Sequence, residues 1–457
     1  MENTATATTE EGGGGKKKSK VVIVGGGIAG LVVALGLKVH GDEKFEIEIY
    51  EQAKGYVDGV GGAIGLYPNG LRVLQTVLPS NLFLKITKEY GYPYLNRRWY
   101  RHDGTQVAIA NETQTLSVDD QQPLGIRRYQ LQNVLVQAVK EANIPLFTNK
   151  HVSQITQTST HVTLTFAAST DTTSVTADYV LGADGIKSKV RTAIPPSSTD
   201  TDPIFTGVTC IMGAASGNQD YKLPRGISFP SSITTKCHMC TYPTSDTERI
   251  FQLYIPTLNE NPNQWGAVSQ EEMKDLISKL EKDGWDEDLF LSTIREADPK
   301  SLIRVGLKAC EPMSTWYHNR VVLLGDAAHP PVPYIGQGAM MAMEDAGTLS
   351  YLLHEMTTFQ DACHIYQTMR KPRAQQILQS SHILGQIQQK RADSWIYNLY
   401  KEYHIKYQVW RYGTLPILKP GALYNYQTDT QEQIKLFQQQ QQQQRNDEEK
   451  KQSESNE

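Results

Sequence analysis

The sequence predicts an α/β fold in which a parallel sheet flanked by helices carries an inserted, mainly antiparallel β-sheet domain, followed by a helical C-terminal region. A β-branched run at residues 20–24 enters a glycine-rich turn and then an apolar stretch dense enough for a buried helix. Two more runs typical of buried strands, at residues 178–181 and 320–324, also end in turns that contain Gly and Asp. Strand-like segments at 205–212 and 249–255 lie between them and indicate a second sheet.

Length, charge and cysteine content narrow the class of protein further. With 457 residues the chain exceeds what one hydrophobic core usually organises, so we expect two. The net charge of -4, with both signs scattered, provides no basic surface for nucleic acid, so we expect a small-molecule partner. Five cysteines, an odd number, do not indicate a disulfide framework. The prediction is a cytoplasmic protein without a membrane span.

The first glycine-rich turn has the spacing GxGxxG and is formed by Gly25, Gly27 and Gly30. In a Rossmann-like strand-turn-helix unit, the first glycine permits the tight turn, the second lets a pyrophosphate approach the backbone, and the third allows close helix packing. A second strand ends at Glu51, 21 positions after Gly30, where a carboxylate is expected to accept from a ribose hydroxyl. Because Glu51 would repel a 2′-phosphate, the predicted ligand is FAD or NAD.

Two segments in the middle of the chain indicate a binding site only in combination with the other motifs. Gly65 lies in a glycine cluster that precedes a helix with one apolar face, and Arg128 stands at the start of another helix. Taken alone, the glycine cluster is equally consistent with a flexible loop, and the arginine with a solvated surface residue.

Two further motifs follow the later strands. GADG at residues 182–185 precedes Ser188 and Arg191, and GD at 325–326 precedes GQGA at 336–339. The last of these opens a predicted helix that contains EDA at 344–346.

In this order and at this spread, the motifs resemble those of class A flavoprotein monooxygenases, the single-chain FAD hydroxylases and epoxidases built like para-hydroxybenzoate hydroxylase, salicylate hydroxylase and zeaxanthin epoxidase. The resemblance covers about residues 20–380, and GADGxxSxVR matches position for position. It implies non-covalent FAD, with NADPH or NADH as a transient electron donor. It also implies O₂ as co-substrate and transfer of one oxygen atom through a flavin C4a-hydroperoxide.

The resemblance also implies roles for individual residues. Gly65 is expected close to the flavin, Arg128 near the FAD phosphates, and Asp184 in a loop that contacts the pyrophosphate. Asp326 is expected to accept from the ribityl hydroxyls.

The helix that begins at Gly338 is implied to point its free N–H groups, those of Gly338 and Ala339, at the flavin edge that becomes negative on reduction. Many relatives carry Asn where this chain has Met340. Because of this difference, the substrate of this chain does not follow from the substrate of any one subfamily. No catalytic side chain is singled out, and no metal site is expected.

The motifs and composition shifts predict the following domain boundaries: a disordered lead at 1–18; an FAD-binding domain at 19–83, 119–193 and 302–355; a substrate domain at 84–118 and 194–301; a helical region at 356–426; and a disordered Gln-rich tail at 427–457. Within the substrate domain, Asp103-Gly104 predicts a hairpin turn. The aromatic-rich segment 395–418 is interpreted as a surface helix packed on the body rather than a membrane attachment.

Other functions stay open at this point. A flavin disulfide reductase would need a second GxGxxG and a redox cysteine pair near the first motif, whereas the first cysteine is Cys210. An FAD-dependent reductase of the same fold and a non-catalytic FAD-binding protein remain alternatives. The sequence does not distinguish aromatic from isoprenoid substrates, hydroxylation from epoxidation, NADPH from NADH, or a monomer from a homodimer.

Overall fold

The structure is a computed structural model that describes residues 17–57, 59, 62–94, 96–111, 122–167, 173–198, 200, 202–216, 223, 225–257, 265–311, 313–389, 395–412 and 424–455. The predicted disordered lead lies outside the described residues, apart from Lys17 and Lys18.

The strands, in chain order, are β1 (Ser19–Val24), β2 (Phe45–Tyr50), β3 (Ala63–Leu66), β4 (Tyr92–Pro93), β5 (Asn96–Arg101), β6 (Gln106–Asn111), β7 (Leu124–Arg127), β8 (Leu146–Phe147), β9 (Val152–Gln157), β10 (Val162–Phe166), β11 (Ser174–Ala177), β12 (Tyr179–Gly182), β13 (Ile204–Ser216), β14 (Ile227–Ser231), β15 (His238–Pro243), β16 (Glu248–Pro256), β17 (Trp265–Ala267), β18 (Ile303–Ala309), β19 (Tyr317–His318) and β20 (Val321–Leu323).

The α-helices are α1 (Ile28–Gly41), α2 (Pro68–Val77), α3 (Ser80–Leu84), α4 (Arg128–Glu141), α5 (Gln270–Asp283), α6 (Ser292–Arg295), α7 (Gly338–Glu355), α8 (Phe359–Gln389), α9 (Trp395–Tyr412) and α10 (Tyr426–Ser455). Short 3₁₀ turns at Gly325–Ala327 and Pro333–Ile335 precede α7.

A parallel sheet organises the nucleotide half of the molecule. Within the described chain it has six strands in the order β19-β20-β12-β1-β2-β8, and the antiparallel β19 lies at one edge. The β1 residues Val22 and Ile23 are fully buried because helices α1 and α7, which pack on each other, cover this region. Since β1, β12 and β20 run in one direction, the loops that follow them meet at the same edge of the sheet.

A second large sheet forms the other half. Of the described strands it contains eight, in the order β17-β18-β13-β16-β15-β14-β5-β6, and its pairings are antiparallel except for β14 with β5. The predicted hairpin at Asp103-Gly104 is confirmed, since β5 and β6 pair around it and Gly104 has a φ of +84°. The predicted α/β fold class is thus confirmed.

Two small antiparallel sheets complete the architecture. One joins β3, β7 and β4, and the other joins β9, β10 and β11. The first places Gly65 of β3 beside the start of α4, because the Arg128 N–H donates to the carbonyl of Gly62 at 3.1 Å.

One predicted boundary needs correction. Residues 302–309 are predicted to be part of the FAD-binding domain, yet strand β18 pairs with β13 in the eight-stranded sheet. The chain therefore returns to the parallel sheet only after this strand. The apolar alternation of β18 fits either sheet, and only the long-range pairing decides between them.

The predicted disordered tail is a second correction, because residues 426–455 form helix α10. Tyr426, Thr430 and Ile434 recur at helical spacing and are buried, and α10 packs against α7 and α8. A Cβ on Gly347 would lie 2.9 Å from the Tyr426 ring, so the two surfaces touch closely. The Gln-rich composition of the later turns hides this short apolar stripe from a compositional argument. Residues 456–457 lie outside the described part.

Across the described residues, no helix combines the length and apolar character needed to cross a bilayer.

Candidate active site

The GxGxxG turn connects β1 to α1 and has the tight geometry its glycines require. Gly25 has a φ of +107°, and a Cβ on Gly30 would lie 1.9 Å from the Gly25 carbonyl oxygen. A Cβ on Gly27 would meet no atom within 4 Å, so the backbone there faces open space. Gly30 therefore serves helix packing, whereas Gly27 leaves room for a ligand.

Glu51, at the end of β2, is tied to the same turn. One carboxylate oxygen accepts from the Gly26 N–H at 2.6 Å, and the other accepts from the Ala53 N–H at 2.7 Å. The Tyr56 hydroxyl donates to the Gly26 carbonyl at 3.0 Å. Glu51 thus shapes the glycine turn, and it also lines the cleft described below.

Asp184 in the GADG segment is occupied by its own loop. Its carboxylate accepts from the Ser188 hydroxyl at 2.6 Å and from the N–H groups of Lys189 at 2.6 Å and Val190 at 3.0 Å. Burial raises the pKa of Asp184, and these hydrogen bonds act in the opposite direction. The side chain fixes the loop shape, while a Cβ on Gly185 would meet only open space.

Arg191 links this loop to the third motif. Its guanidinium donates to the Ala327 carbonyl at 2.9 and 3.0 Å and to the Asp326 carbonyl at 3.3 Å. The GADG loop and the Gly325–Asp326 turn are far apart in the chain, and these hydrogen bonds hold them together at the carboxyl edge of the parallel sheet.

The Asp326 side chain is exposed to the open cleft and has several charged protein groups near it. Desolvation raises its pKa and Asp345 adds to the rise, whereas His329, Arg128 and Arg191 lower it. A carboxylate in such surroundings gains from a hydroxyl donor, because a neutral donor satisfies it without adding charge.

A buried ionic network supports the start of α7. Glu344 accepts from Asn69 at 2.6 Å and pairs with Arg370 at 2.7 Å and Arg373 at 2.9 Å. Asn69 also donates to the Gln337 side chain at 3.0 Å, immediately before Gly338. These side chains fix the direction in which the N-terminus of α7 points.

The Gly325–Asp326 turn is held by Asp345 of the same helix. One Asp345 oxygen accepts from the Gly325 N–H at 2.9 Å and lies 2.5 Å from the ring of His329; the other accepts from Arg370 at 2.7 Å. His329 and Arg370 hold the pKa of Asp345 at about 2 against the effect of burial. The sequence prediction noted EDA as a motif but did not foresee this support.

A single cleft of about 660 Å³ brings the predicted residues together. Its walls include every predicted site residue except Gly30, namely Gly25, Gly27, Glu51, Gly65, Arg128, Asp184, Asp326, Gly338 and Ala339. Gly30 lies behind the turn, in the helix packing. The volume falls within the range of about 300–1000 Å³ that is usual for small-molecule and cofactor sites.

Three lysines that the sequence prediction did not name also line the cleft, Lys150, Lys187 and Lys189. Lys187 and Lys189 flank Ser188 just after the GADG motif, so the sequence did contain a signal for them. With Arg128 they provide positive charge in the same cleft as the open backbone of Gly27, a combination that suits a pyrophosphate.

The eight-stranded sheet contributes the other end of the cleft, which is rich in aromatic residues. His238 of β15 is 5% exposed and stacks on Tyr254 of β16, with ring centroids 4.6 Å apart and planes 6° apart. The Tyr334 ring lies 5.7 Å from His238 and 5.6 Å from Tyr254. The Tyr254 hydroxyl donates to the side chain of Gln252 at 2.9 Å.

Neither ring nitrogen of His238 has a partner in hydrogen-bond geometry among the described residues. Burial lowers the pKa of His238 to about 3, and the positive charge of Lys401 adds to this, whereas the nearby Lys236 carbonyl opposes it. The imidazole is therefore neutral at physiological pH, and it can donate from one nitrogen and accept at the other.

Sequence reasoning missed His238, Tyr254 and Tyr334 because three separate segments supply them. The local signal available was the Cys237-His238-Met239-Cys240 segment, whose CxxC spacing is also found in redox and zinc sites but which has no second such pair elsewhere in the sequence. Both cysteines are free, and Cys240 lines the cleft.

The cleft fits FAD on the chain's own geometry. Open backbone at Gly27 and Gly185, the cationic side chains and the N-terminus of the 18-residue helix α7 meet in one continuous space. A dinucleotide with a ring system matches this order of anion site, polar groups and apolar end.

Comparisons with known proteins also indicate an FAD-binding chain. The model of the FAD binding domain family matches residues 18–381. The chain is 29% identical over 368 residues to the 3-amino-4-hydroxybenzoate 2-monooxygenase PtnB3 of Streptomyces platensis, covering 79% of this chain and 86% of that protein. It is 26% identical over 371 residues to the 3-hydroxybenzoate 6-hydroxylase of Polaromonas naphthalenivorans, with the same coverage of 79% and 86%. The crystal structure of Klebsiella pneumoniae HpxO complexed with FAD and uric acid superposes with a TM-score of 0.73 at 20% identity, covering 89% of this chain and 98% of that one.

Proposed function

This chain belongs to the FAD binding domain family and is an FAD-dependent monooxygenase, and from that premise we propose that it hydroxylates a small aromatic compound bearing a hydrogen-bonding ring substituent. The relatives at 26–29% identity are named for hydroxybenzoate substrates. When bound, FAD accepts electrons from NADPH or NADH and activates O₂ for transfer of one oxygen atom.

We assign the cofactor contacts to the cleft residues. Gly27 and the N-terminus of α1 would receive the pyrophosphate, with Arg128 and the lysines of the cleft wall compensating its charge. Asp326 would accept from the ribityl hydroxyls. The N–H groups of Gly338 and Ala339 would face the edge of the flavin ring system.

The observation that carries the substrate proposal is the buried, neutral His238, which clusters with the rings of Tyr254 and Tyr334. A buried imidazole whose ring nitrogens lack well-formed hydrogen bonds is costly unless a ligand satisfies it. A phenolic hydroxyl or ring amine would do so, and the flat rings of Tyr254 and Tyr334 offer surfaces on which an aromatic ring packs.

This arrangement suggests what the side chains do during turnover. His238 would accept a hydrogen bond from a substrate hydroxyl, which raises electron density on the ring that is oxidised. The surrounding aromatic and apolar walls would exclude water, so that the activated oxygen reaches the substrate. Because the low pKa of the imidazole makes it a weak base, we assign it hydrogen bonding and not removal of the proton.

A ligand screen on the purified holoenzyme tests the proposal. Hydroxylated and aminated benzoates, pyridines and larger phenols are added one at a time, while NADPH oxidation and the flavin spectrum are followed. At least one phenolic or amino compound should stimulate NADPH oxidation, and the matching compound without the hydroxyl or amine should stimulate it far less.

The variant His238→Phe separates the role of the imidazole from that of the cleft. It should keep the flavin spectrum while raising KM and lowering kcat for the phenolic substrate. Unchanged kinetics would contradict the assignment to His238 but leave the monooxygenase class intact. Substrate reduction without oxygen would instead favour a reductase of the same fold.

We also propose a cellular compartment and an oligomeric state for the enzyme. All five cysteines, each within the described residues, are free thiols, which supports a reducing compartment such as the cytoplasm. We propose a monomer or a homodimer, to be measured by analytical ultracentrifugation.

A further inference from the structure

Helix α9 carries a row of exposed aromatic side chains beyond the residues that match the family model. Tyr400, Tyr403, Tyr407 and Trp410 are 62%, 68%, 43% and 79% exposed. Their spacing of three, four and three residues places them on one face of the helix. The rings of Tyr407 and Trp410 lie 6.1 Å apart, so part of the row is continuous. We call these four residues the aromatic stripe.

The opposite face of α9 is anchored to the body, so the stripe is held outward. Val409 is buried and packs in one cluster with Trp99 and Ala110, and Ile405 lies against that cluster. Arg101 forms a bidentate ion pair with Glu402, with both contacts at 2.6 Å. The helix is thus docked through one side and presents its aromatic side to the surroundings.

The charge around the stripe is positive. Glu402 is neutralised by Arg101, while Lys406 and Arg411 are exposed beside the stripe. This local surplus contrasts with the net charge of -4 for the whole chain. A surface that combines Tyr and Trp rings with Lys and Arg matches the headgroup region of a bilayer, where amphipathic rings sit at the boundary and cations meet anionic lipids.

We propose that the aromatic stripe of α9 docks the enzyme on the surface of an anionic phospholipid bilayer. The helix would lie in the plane of the interface, with the four rings among the headgroups and Lys406 and Arg411 beside phosphate or serine groups. The proposal is independent of the substrate. Helix α9 packs on the body as predicted for segment 395–418, of which residues 413–418 lie outside the described part, and the proposal adds a membrane contact that the prediction did not favour.

Vesicle sedimentation with the full-length holoenzyme tests the proposal. The probes are phosphatidylcholine vesicles with and without phosphatidylserine. The enzyme should sediment with the phosphatidylserine vesicles and much less with phosphatidylcholine alone. Binding should weaken as ionic strength rises, since salt screens the contribution of the cations.

Two variants identify the surface. Tyr403→Ser combined with Trp410→Ser should lower the vesicle partition coefficient by about tenfold or more, because two large rings no longer leave water. Lys406→Glu combined with Arg411→Glu should abolish the preference for phosphatidylserine. Val39→Ser removes an exposed apolar side chain on α1 and is the matched control, with unchanged binding. All variants should keep the flavin spectrum, because the altered side chains are exposed.

Three results would overturn the proposal. Failure of the wild-type enzyme to sediment with either kind of vesicle would reject a lipid surface outright. Equal sedimentation of the Tyr403 and Trp410 variant would place the contact elsewhere. A concentration-dependent dimer that this variant abolishes, without vesicle binding, would assign the stripe to a second copy of the chain.

Discussion

His329 and Asp345 form a buried pair, with the ring nitrogen 2.5 Å from the carboxylate, that joins the turn containing Asp326 to the helix that begins at Gly338. The same carboxylate accepts from the Gly325 N–H, and its other oxygen pairs with Arg370. The two polypeptide segments assigned to the ribityl chain and the flavin edge therefore share one support. A change in that support should affect cofactor binding without touching the cofactor.

Replacing Asp345 by Asn should lower both stability and FAD affinity. Arg370 keeps its ion pair with Glu344, which Arg373 shares, but loses its second buried carboxylate, which should cost about 1.5–3 kcal/mol of unfolding free energy. Urea unfolding and fluorescence titration with FAD measure the two effects. Asp275→Asn, at an exposed position on α5, is the control and should change neither. Equal FAD affinity in the Asp345 variant would contradict a positioning role.

The two glycines of the first motif should respond differently to the same substitution. Gly30→Ala forces a Cβ against the Gly25 carbonyl, so the apoprotein should be destabilised whether or not FAD is present. Gly27→Ala meets no protein atom within 4 Å, so apoprotein stability should stay within about 0.5 kcal/mol of wild type while FAD affinity falls. Apoprotein unfolding and FAD titration separate the two. If Gly27→Ala bound FAD normally, the pyrophosphate would not approach the backbone there.

Two truncations test the correction to the C-terminal tail. Ending the chain after residue 441 removes turns of α10 whose described side chains, at 442–449 and 451–452, are exposed, and should leave stability unchanged. Ending it after residue 425 removes the buried Tyr426, Thr430 and Ile434 and should cost about 3 kcal/mol or more. Urea midpoints of the two proteins provide the comparison. Equal stability would show that α10 contributes nothing to the fold.

Apoprotein stability should fall as the pH decreases from about 6.5. The pKa of His238 is about 3 in the folded protein, against an ordinary value of 6.5. Between these values the unfolded chain binds a proton that the folded protein does not, so unfolding becomes easier as pH falls. The low pKa of Asp345 acts in the same direction but only below its ordinary value of 3.8.

The substitution His238→Gln should therefore flatten the stability profile between pH 6.5 and about 4.5. His40, whose pKa burial also lowers, remains in the variant, so the change reports on His238 alone. His382→Gln, at an exposed position, is the control and should leave the profile as it is. An unchanged slope in the His238 variant would mean that the imidazole titrates normally.

The sequence predicted most of the cofactor half because its signals are local. Gly25, Gly27 and Gly30 occur within six residues, and their spacing alone defines a strand-to-helix turn. Glu51 and Asp326 follow strands directly, so the carboxyl edge of the parallel sheet brings them to the same cleft.

The substrate half was hidden for the opposite reason. His238 and Tyr254 lie on neighbouring strands whose register no local pattern reveals, and Tyr334 joins them from the turn before α7. The strand assignment of β18 and the packing of Tyr426 likewise depend on long-range contacts. Composition and periodicity describe a segment, but they do not identify its partner.

Oxygen transfer to a substrate held beside His238 is the central claim, and one measurement tests it most directly. The holoenzyme is supplied with NADPH, ¹⁸O₂ and the aromatic compound that most stimulates NADPH oxidation, and the product is examined by mass spectrometry. We expect one ¹⁸O atom in each product molecule and one NADPH consumed for each product formed. A product that lacks ¹⁸O, or NADPH oxidation that yields only hydrogen peroxide with every aromatic compound tested, would contradict it.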